Sequence, residues 1–250
     1  MKKEAVQICL IILLFSVYVS AQHKNDLAIN YNNQGVAQIK DAKYEAAVDS
    51  FNQAVSLQPG YATAFYNLGT AYFHLKQFEN AAGAFQKAIG LYPGYVEAFN
   101  QLSVIYLETA QAEKAVEVLK RAIRLKNNNT IAFYNLGCAF IRQKKFREAT
   151  ESLEKAKEFD EDNLEIRLNL GFAYGQQKRY REAIAEIQTA VEINPGDEQA
   201  QLLLCNLYVV VKDRESAFAQ YDKVKQQNPR LAQKLYQEIY KDKIIVVSNK

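Results

Sequence analysis

The spacing of the four prolines constrains the fold of this chain more than any other feature of its sequence. Pro59 and Pro93 lie 34 residues apart, as do Pro195 and Pro229, and the interval between the two pairs is three times as long. Proline cannot continue a helix, and it shifts the residue before it away from the helical region, so each proline marks the end of a structural unit. The spacing therefore predicts a chain built from units of 34 residues.

The register set by the prolines gives six units without insertions: residues 28–61, 62–95, 96–129, 130–163, 164–197 and 198–231. Positions that played no part in setting the register repeat with the same period. The twentieth residue of every unit is alanine: Ala47, Ala81, Ala115, Ala149, Ala183 and Ala217. The eighth residue is small throughout: Gly35, Gly69, Ser103, Gly137, Gly171 and Cys205. Small residues at fixed positions predict pairs of helices that cross closely, with the glycine of one helix against the alanine of the other.

This pattern resembles the tetratricopeptide repeat, a 34-residue unit with the motif W-x2-L-G-x2-Y, then A-x3-F, then P. The second unit matches best, with phenylalanine in place of tryptophan: Phe65, Leu68, Gly69, Tyr72, Ala81, Phe85, Ala88 and Pro93. Arg167 and Gln201 replace the aromatic residue at the fourth position of the last two units. The resemblance implies an all-α fold, a right-handed superhelical α-solenoid of antiparallel helix pairs that cover one another's apolar faces.

The N-terminal segment has the pattern of a targeting signal. Lys2 and Lys3 precede an apolar run at residues 5–19, which is shorter than the roughly 20 residues of a membrane-spanning helix. We therefore predict a signal peptide over residues 1–21 with cleavage after Ala21. Cleavage would export the protein to the periplasm, the secretory lumen or the exterior. An uncleaved segment would instead anchor the chain to a membrane, and this alternative stays open.

Three further segments lie outside the six units. Residues 22–27 are predicted to form a linker between the signal peptide and the first unit. Residues 232–242 carry apolar side chains at helical spacing and are predicted to form a polar-faced helix that caps the last unit. Residues 243–250 form a tail, in which Ile244, Ile245, Val246 and Val247 make a short stretch of β-prone residues.

Charge and motifs favour binding over catalysis. The 31 basic and 28 acidic residues are interleaved and give a net charge of +3, which offers no strongly basic face for nucleic acid. The chain contains no phosphate-binding loop, nucleophile elbow or zinc-hydrolase motif. We therefore predict a protein that is not an enzyme and has no cofactor or metal. No nucleic-acid partner or small-molecule substrate is evident.

The resemblance implies that the first helices of successive units line a concave face that holds extended peptides or partner helices. The sixth residue of five units carries a side-chain amide: Asn33, Asn67, Gln101, Asn135 and Asn169. An amide both donates and accepts, so this row is able to pair with the backbone of a bound peptide. The alternative is that these amides bond within the superhelix. The other candidate contacts on this face are Tyr66, Thr70, Phe73, Tyr134, Arg142 and Phe172.

The largely uncharged lining favours an apolar or aromatic-bearing polypeptide as the partner. The primary hypothesis is a noncatalytic scaffold of the secretory or periplasmic compartment that binds an extended or helical polypeptide. The alternative is a self-assembling structural component, or an accessory subunit of an envelope enzyme or assembly complex.

Overall fold

The computed structural model describes the backbone of residues 2–225 and 227–247, and the side chains of residues 14–225 and 227–240. Within these ranges the chain forms thirteen α-helices and no strand. The first helices of the units are α1 (Lys2–Lys40), α3 (Ala62–His74), α5 (Val96–Glu108), α7 (Thr130–Arg142), α9 (Leu164–Gln176) and α11 (Glu198–Val210). The second helices are α2 (Tyr44–Leu57), α4 (Phe78–Leu91), α6 (Ala112–Leu125), α8 (Phe146–Phe159), α10 (Tyr180–Ile193) and α12 (Arg214–Lys225), and α13 (Pro229–Val247) follows them. The predicted all-α fold of helix pairs is confirmed.

The turns inside the helix pairs repeat as regularly as the helices. One residue of each turn adopts the left-handed conformation, with φ between 57° and 64°: Ala42, Lys76, Ala110, Lys144, Lys178 and Lys212. In the α7–α8 turn, the backbone N–H of Lys144 donates to the carbonyl of Ile141 and that of Lys145 to the carbonyl of Phe140, both at 2.9 Å. This is a Schellman motif, which satisfies the last carbonyls of the first helix while the chain reverses.

The chain divides into two compact halves, the N-terminal half (residues 1–125) and the C-terminal half (residues 126–250). In the N-terminal half, the side chains of Phe51, Leu68 and Ala84 pack into one core between the helices of successive pairs. In the C-terminal half, Leu153, Leu170 and Ile187 belong to a larger core that reaches from α8 to α11. A further cluster joins α11 and α12 to α13.

The glycines at the eighth position make room for a bulky side chain of the second helix. A β-carbon on Gly171 would lie 2.4 Å from Cδ1 of Ile187, and one on Gly69 would lie 2.9 Å from the ring of Phe85. The alanine predicted at the same crossing lies four residues before this bulky residue, and its side chain is fully buried in every repeat. At Gly171 the carbonyl oxygen of Ala183 would lie 3.3 Å from the added β-carbon, so glycine and alanine meet at this crossing and Ile187 fills the space beside them.

The two ends of the chain differ from the predicted layout. Residues 22–27 belong to α1 and do not form a separate linker. The predicted cap at residues 232–242 is part of α13, which continues through Ile244–Val247, while residues 248–250 lie outside the described part. Since β propensity is weak and depends on context, this stretch extends the helix that precedes it.

The last helix covers the last helix pair. The side chains of Leu231, Leu235 and Ile239 on α13 are buried in the cluster that it shares with α11 and α12. On α1, Phe15 and Tyr18 are about two-thirds exposed. In the part of the chain that is described, no helix combines the length and the apolar character needed to cross a bilayer.

Candidate functional site

The amide row on the first helices takes part in hydrogen bonds between neighbouring helices. In the N-terminal half, Nδ2 of Asn67 on α3 donates to Oδ1 of Asn32 on α1 at 2.8 Å. The side chain of Gln101 on α5 hydrogen-bonds the hydroxyl of Tyr66 on α3. Each pair spans 35 residues, from the fifth residue of one repeat to the sixth residue of the next. These contacts form a ladder that joins consecutive first helices.

The C-terminal half contains an equivalent hydrogen bond between first helices. Nδ2 of Asn169 donates to the hydroxyl of Tyr134 at 3.4 Å and to the carbonyl of Glu165 at 2.8 Å. The Tyr134 hydroxyl also bonds the thiol of Cys138, and burial raises the pKa of both groups, so both stay protonated at neutral pH. Asn135 is only 7% exposed. The two amides of the row in residues 126–250, Asn135 and Asn169, are therefore buried or hydrogen-bonded within the chain.

The aromatic residues of the N-terminal half that were predicted to contact a partner pack against other aromatic rings of the chain. The ring of Tyr66 stacks on that of Tyr95, with centroids 5.0 Å apart, and Thr70 donates its hydroxyl hydrogen to the carbonyl of Tyr66 at 3.1 Å. The ring of Phe73 lies 5.9 Å from that of Phe78. These side chains are half-buried, so they complete the helix packing and offer only part of their surface to a partner.

Three predicted residues remain well exposed: Asn33 on α1, Arg142 at the end of α7 and Phe172 on α9. Phe172 lies in a groove between α9 and α11, where the helices enclose two adjoining cavities of about 470 Å³ and 390 Å³. Phe172, Leu203 and Asn206 line both cavities, so the two form one continuous site, which we name the α9–α11 groove.

The lining of the α9–α11 groove combines apolar and amide side chains. The larger cavity is completed by Leu168, Asn169, Glu198, Gln199 and Leu202. The smaller one is completed by Gly171, Gly175, Gln176, Lys178, Tyr180, Leu207 and Val210. Both helices are 13 residues long, or about 20 Å, which accommodates roughly six residues of extended chain. The combined volume is within the usual range of ligand sites.

Sequence reasoning found the α9 side of this groove and missed the α11 side. The sixth repeat carries Leu203 where the earlier repeats have an amide, and this exception was the available signal. Because leucine makes no hydrogen bond to the preceding helix, the ladder has no rung from the side chain of Leu203. The apolar side chain becomes part of the groove lining instead.

A charged network behind α9 holds the wall of the groove. Arg167, which replaces the expected aromatic residue, is 7% exposed. Its Nη1 lies 2.8 Å from Oε2 of Glu186 on α10, and its Nε donates to the carbonyl of Glu161 at 2.9 Å. Lys157 on α8 bridges Glu186 at 2.7 Å and Glu154 at 2.9 Å. The network ties α9 to both neighbouring second helices, because a buried guanidinium requires paired charges.

Comparison with known proteins identifies the family. Two sequence profiles of the tetratricopeptide repeat match this chain, one at residues 32–96 and the other at residues 73–136, 140–204 and 176–239. The chain belongs to the tetratricopeptide repeat family. As in other members, the fold supports a role as a protein-interaction scaffold with a polypeptide partner. No curated protein matches the sequence significantly.

Solved structures of other tetratricopeptide repeat proteins share the fold. YrrB, described as a TPR protein with an unusual peptide-binding site, aligns over 74% of this chain and 95% of its own, with a TM-score of 0.62 and 23% identity. PilF of Pseudomonas aeruginosa aligns over 86% of this chain and 99% of its own, with a TM-score of 0.71 and 20% identity. A chain of the APC/C hetero-tetramer Cut9–Hcn1 aligns over 90% of this chain and 45% of its own, with a TM-score of 0.66 and 16% identity. At these identities the similarity concerns the fold.

Proposed function

We propose that this tetratricopeptide repeat protein is a noncatalytic scaffold that holds a segment of a partner polypeptide in the α9–α11 groove. The observation that carries the proposal is the continuous groove itself, in which Phe172 remains 39% exposed and Val210 54% exposed. Covering apolar surface that faces water inside a concave site lowers the free energy of the complex. The peptide-binding site of YrrB, a protein of the same fold, supports a polypeptide as that ligand.

The lining indicates how such a segment binds. Two apolar side chains of the ligand fill the two cavities on either side of Phe172. Gln176, Gln199 and Asn206 supply amide donors and acceptors for the ligand backbone. Unlike Asn67 and Asn169, they have no side-chain hydrogen bond among the described residues. Specificity then comes from the apolar side chains, and backbone pairing adds affinity for any sequence.

The chemistry of the groove supports binding rather than catalysis. Its described lining contains one lysine, Lys178, and one carboxylate, Glu198. Glu198 accepts from Lys234 and Asn228 at 3.2 Å, and these bonds lower the pKa of its carboxyl group, so it stays ionised and poorly basic. A general base needs a pKa near the operating pH, which this carboxylate lacks.

The proposal places the scaffold outside the cytoplasm after residues 1–21 are removed. Lys2, Lys3 and the apolar run that follows support export. N-terminal sequencing of the protein isolated from its host should begin at Gln22. A chain that begins at Met1 would contradict the proposed processing.

A matched pair of phenylalanines tests the groove. Phe172→Ala should abolish capture of the partner from an envelope extract, because it removes the side chain shared by both cavities. The control is Phe159→Ala in the same half of the chain, because Phe159 is 46% exposed and lies outside the groove lining. The two rings have similar surroundings: the centroid of Phe159 lies 6.1 Å from that of Phe133, and the centroid of Phe172 lies 6.2 Å from that of Phe146. Quantitative mass spectrometry should find the partner with the wild type and with the control. Equal capture by both variants, at matched stability, would refute the proposal.

A further inference from the structure

Two turns of the C-terminal half, residues 126–250, have nearly the same charged sequence. Residues 143–149 read QKKFREA and residues 177–183 read QKRYREA, and they form the α7–α8 and α9–α10 turns. Each turn places its first lysine, Lys144 or Lys178, in the left-handed conformation. Since α7 packs against α9, the two turns lie side by side, at a helix spacing of about 10 Å.

These turns form a basic edge of exposed side chains: Lys144, Lys145, Arg147, Lys178, Arg179 and Arg181. Arg147 pairs with Glu151 of the same helix at 3.3 Å, and Arg179 pairs with Glu182 on α10 at 2.9 Å. The other four cations have no ion pair in the described part of the chain. Residues 143–149 and 177–183 together contain six cations and two carboxylates, so the edge has a net positive charge.

The fold does not require this charge. Among residues 1–125, two of the three equivalent turns read Lys76-Gln77-Phe78 and Ala110-Gln111-Ala112, with the same left-handed conformation at the first residue and uncharged residues after it. In the third, Ala42-Lys43-Tyr44, the lysine pairs with Asp41 at 3.0 Å. A turn that forms equally well with Ala110 and Gln111 has no structural need for Lys178 and Arg179. The cations are thus available for a different role.

The basic edge is continuous with one end of the α9–α11 groove. Lys178 and Tyr180 line the smaller cavity, so a ligand that fills this cavity extends directly over the α9–α10 turn. At the other end, Glu198 lines the larger cavity and pairs with Lys234 at 3.2 Å, and the Asp-Glu-Asp run at residues 160–162 ends just before the N-cap residue of α9. The basic edge therefore favours acidic residues at the Lys178 end of a bound chain.

We infer that the groove binds its partner in one orientation, selecting a polypeptide in which apolar residues are flanked on one side by a cluster of acidic residues. The apolar residues occupy the cavities, and the acidic cluster lies over Lys144, Lys145, Lys178 and Arg181. This inference rests on the proposed function, and it names the partner's chemistry. It refines the sequence-based expectation of an apolar partner, which considered the lining of the first helices and not the turns.

Selection from a random 16-residue peptide library on the native protein tests the inference. The selected peptides should share apolar residues with acidic residues on one side only. Affinity should fall about tenfold in the double variant Lys144→Glu/Lys178→Glu, and it should decline with added salt. Lys76→Glu, which makes the same change at an equivalent left-handed turn position, should leave affinity unchanged.

The outcomes separate the inference from the proposed function. Peptides that require Phe172 but show no acidic cluster and tolerate the double variant would overturn the inference and leave the function standing. Peptides that bind Phe172→Ala as well as the wild type would overturn both. Vesicles of anionic lipid provide a third arm. If they bind the wild type and not the double variant, while selected peptides lack acidic residues, the basic edge is a membrane contact and the inference is wrong.

Discussion

Substituting one glycine tests the helix crossing on which each repeat depends. A β-carbon at position 171 would lie 2.4 Å from Cδ1 and 2.5 Å from Cγ1 of Ile187, whereas ordinary contacts begin at 3.4 Å. Ile187 is fully buried, so the new methyl group forces its side chain into another position or moves α9 and α10 apart. Overpacking of this kind costs about 1–3 kcal/mol.

The higher helix propensity of alanine opposes this cost, and its contribution is small and measurable in the same protein. Replacing glycine by alanine inside a helix stabilises it by about 0.5–1 kcal/mol. The expected net change for Gly171→Ala is therefore a loss of between about 0 and about 2.5 kcal/mol. Gly83, within α4, is the matched control, because a β-carbon added there would meet no atom within 4 Å beyond its own stretch of helix. Gly83→Ala should raise the free energy of unfolding by about 0.5–1 kcal/mol.

Urea unfolding followed by circular dichroism at the helical band measures both changes. A second background, Ile187→Ala, removes both atoms that the new methyl group would overlap, so Gly171→Ala should no longer destabilise the protein in it. If Gly171→Ala stabilises the wild type as much as Gly83→Ala does, the close crossing of α9 and α10 is wrong.

Four further predictions concern other parts of the chain. Ala110→Gly should stabilise the protein by about 1 kcal/mol, because alanine is held at φ 57°; an unchanged urea midpoint would contradict this. Asn67→Ala should cost about 1 kcal/mol, and a double-mutant cycle with Asn32→Ala should show coupling; additive effects would exclude the hydrogen bond. Arg167→Ala should cost about 2 kcal/mol, because Glu186 loses its charged hydrogen bond to Arg167 and keeps only Lys157, and melting measured by calorimetry should shift accordingly. Burial raises the pKa of the Cys205 thiol to about 11, so iodoacetamide at pH 8 should modify it far more slowly in the native protein than in urea; equal rates would argue against its burial.

The sequence was sufficient for the repeat and its helices, because the same packing problem is solved once in every unit. Gly69 and Gly171 mark crossings that the structure contains, and their spacing is visible without coordinates. The turn residues were not predictable from residue type, since Lys144 and Ala110 are ordinary residues in a conformation that favours glycine. The length of α1 and α13 was also missed, because local propensity does not determine where a helix ends when no proline or glycine follows.

The candidate site was predicted in part. Phe172 and Asn169 were chosen from their positions in the repeat, and both line the groove. Asn67 was chosen for the same reason, and its amide, like that of Asn169, bonds the preceding helix, which is the alternative that the sequence left open. A repeat position determines the face on which a side chain lies but not its hydrogen-bond partner, which depends on the distance between helices. The α11 side was missed because Leu203 breaks the repeat, and a residue that breaks a repeat is where a site differs from the family pattern.

Site-specific photocrosslinking from position 206 shows whether a polypeptide lies in the α9–α11 groove. Asn206 lines both cavities, so a photoreactive amino acid placed there in the native host lies within reach of any segment bound in the groove. We expect adducts with one segment of a partner polypeptide, identified by mass spectrometry, in which apolar residues adjoin acidic ones. The same probe at position 159, outside the groove, should not give this adduct. Identical adducts from both positions, or adducts that persist when Phe172 is replaced by alanine, would contradict binding in the α9–α11 groove.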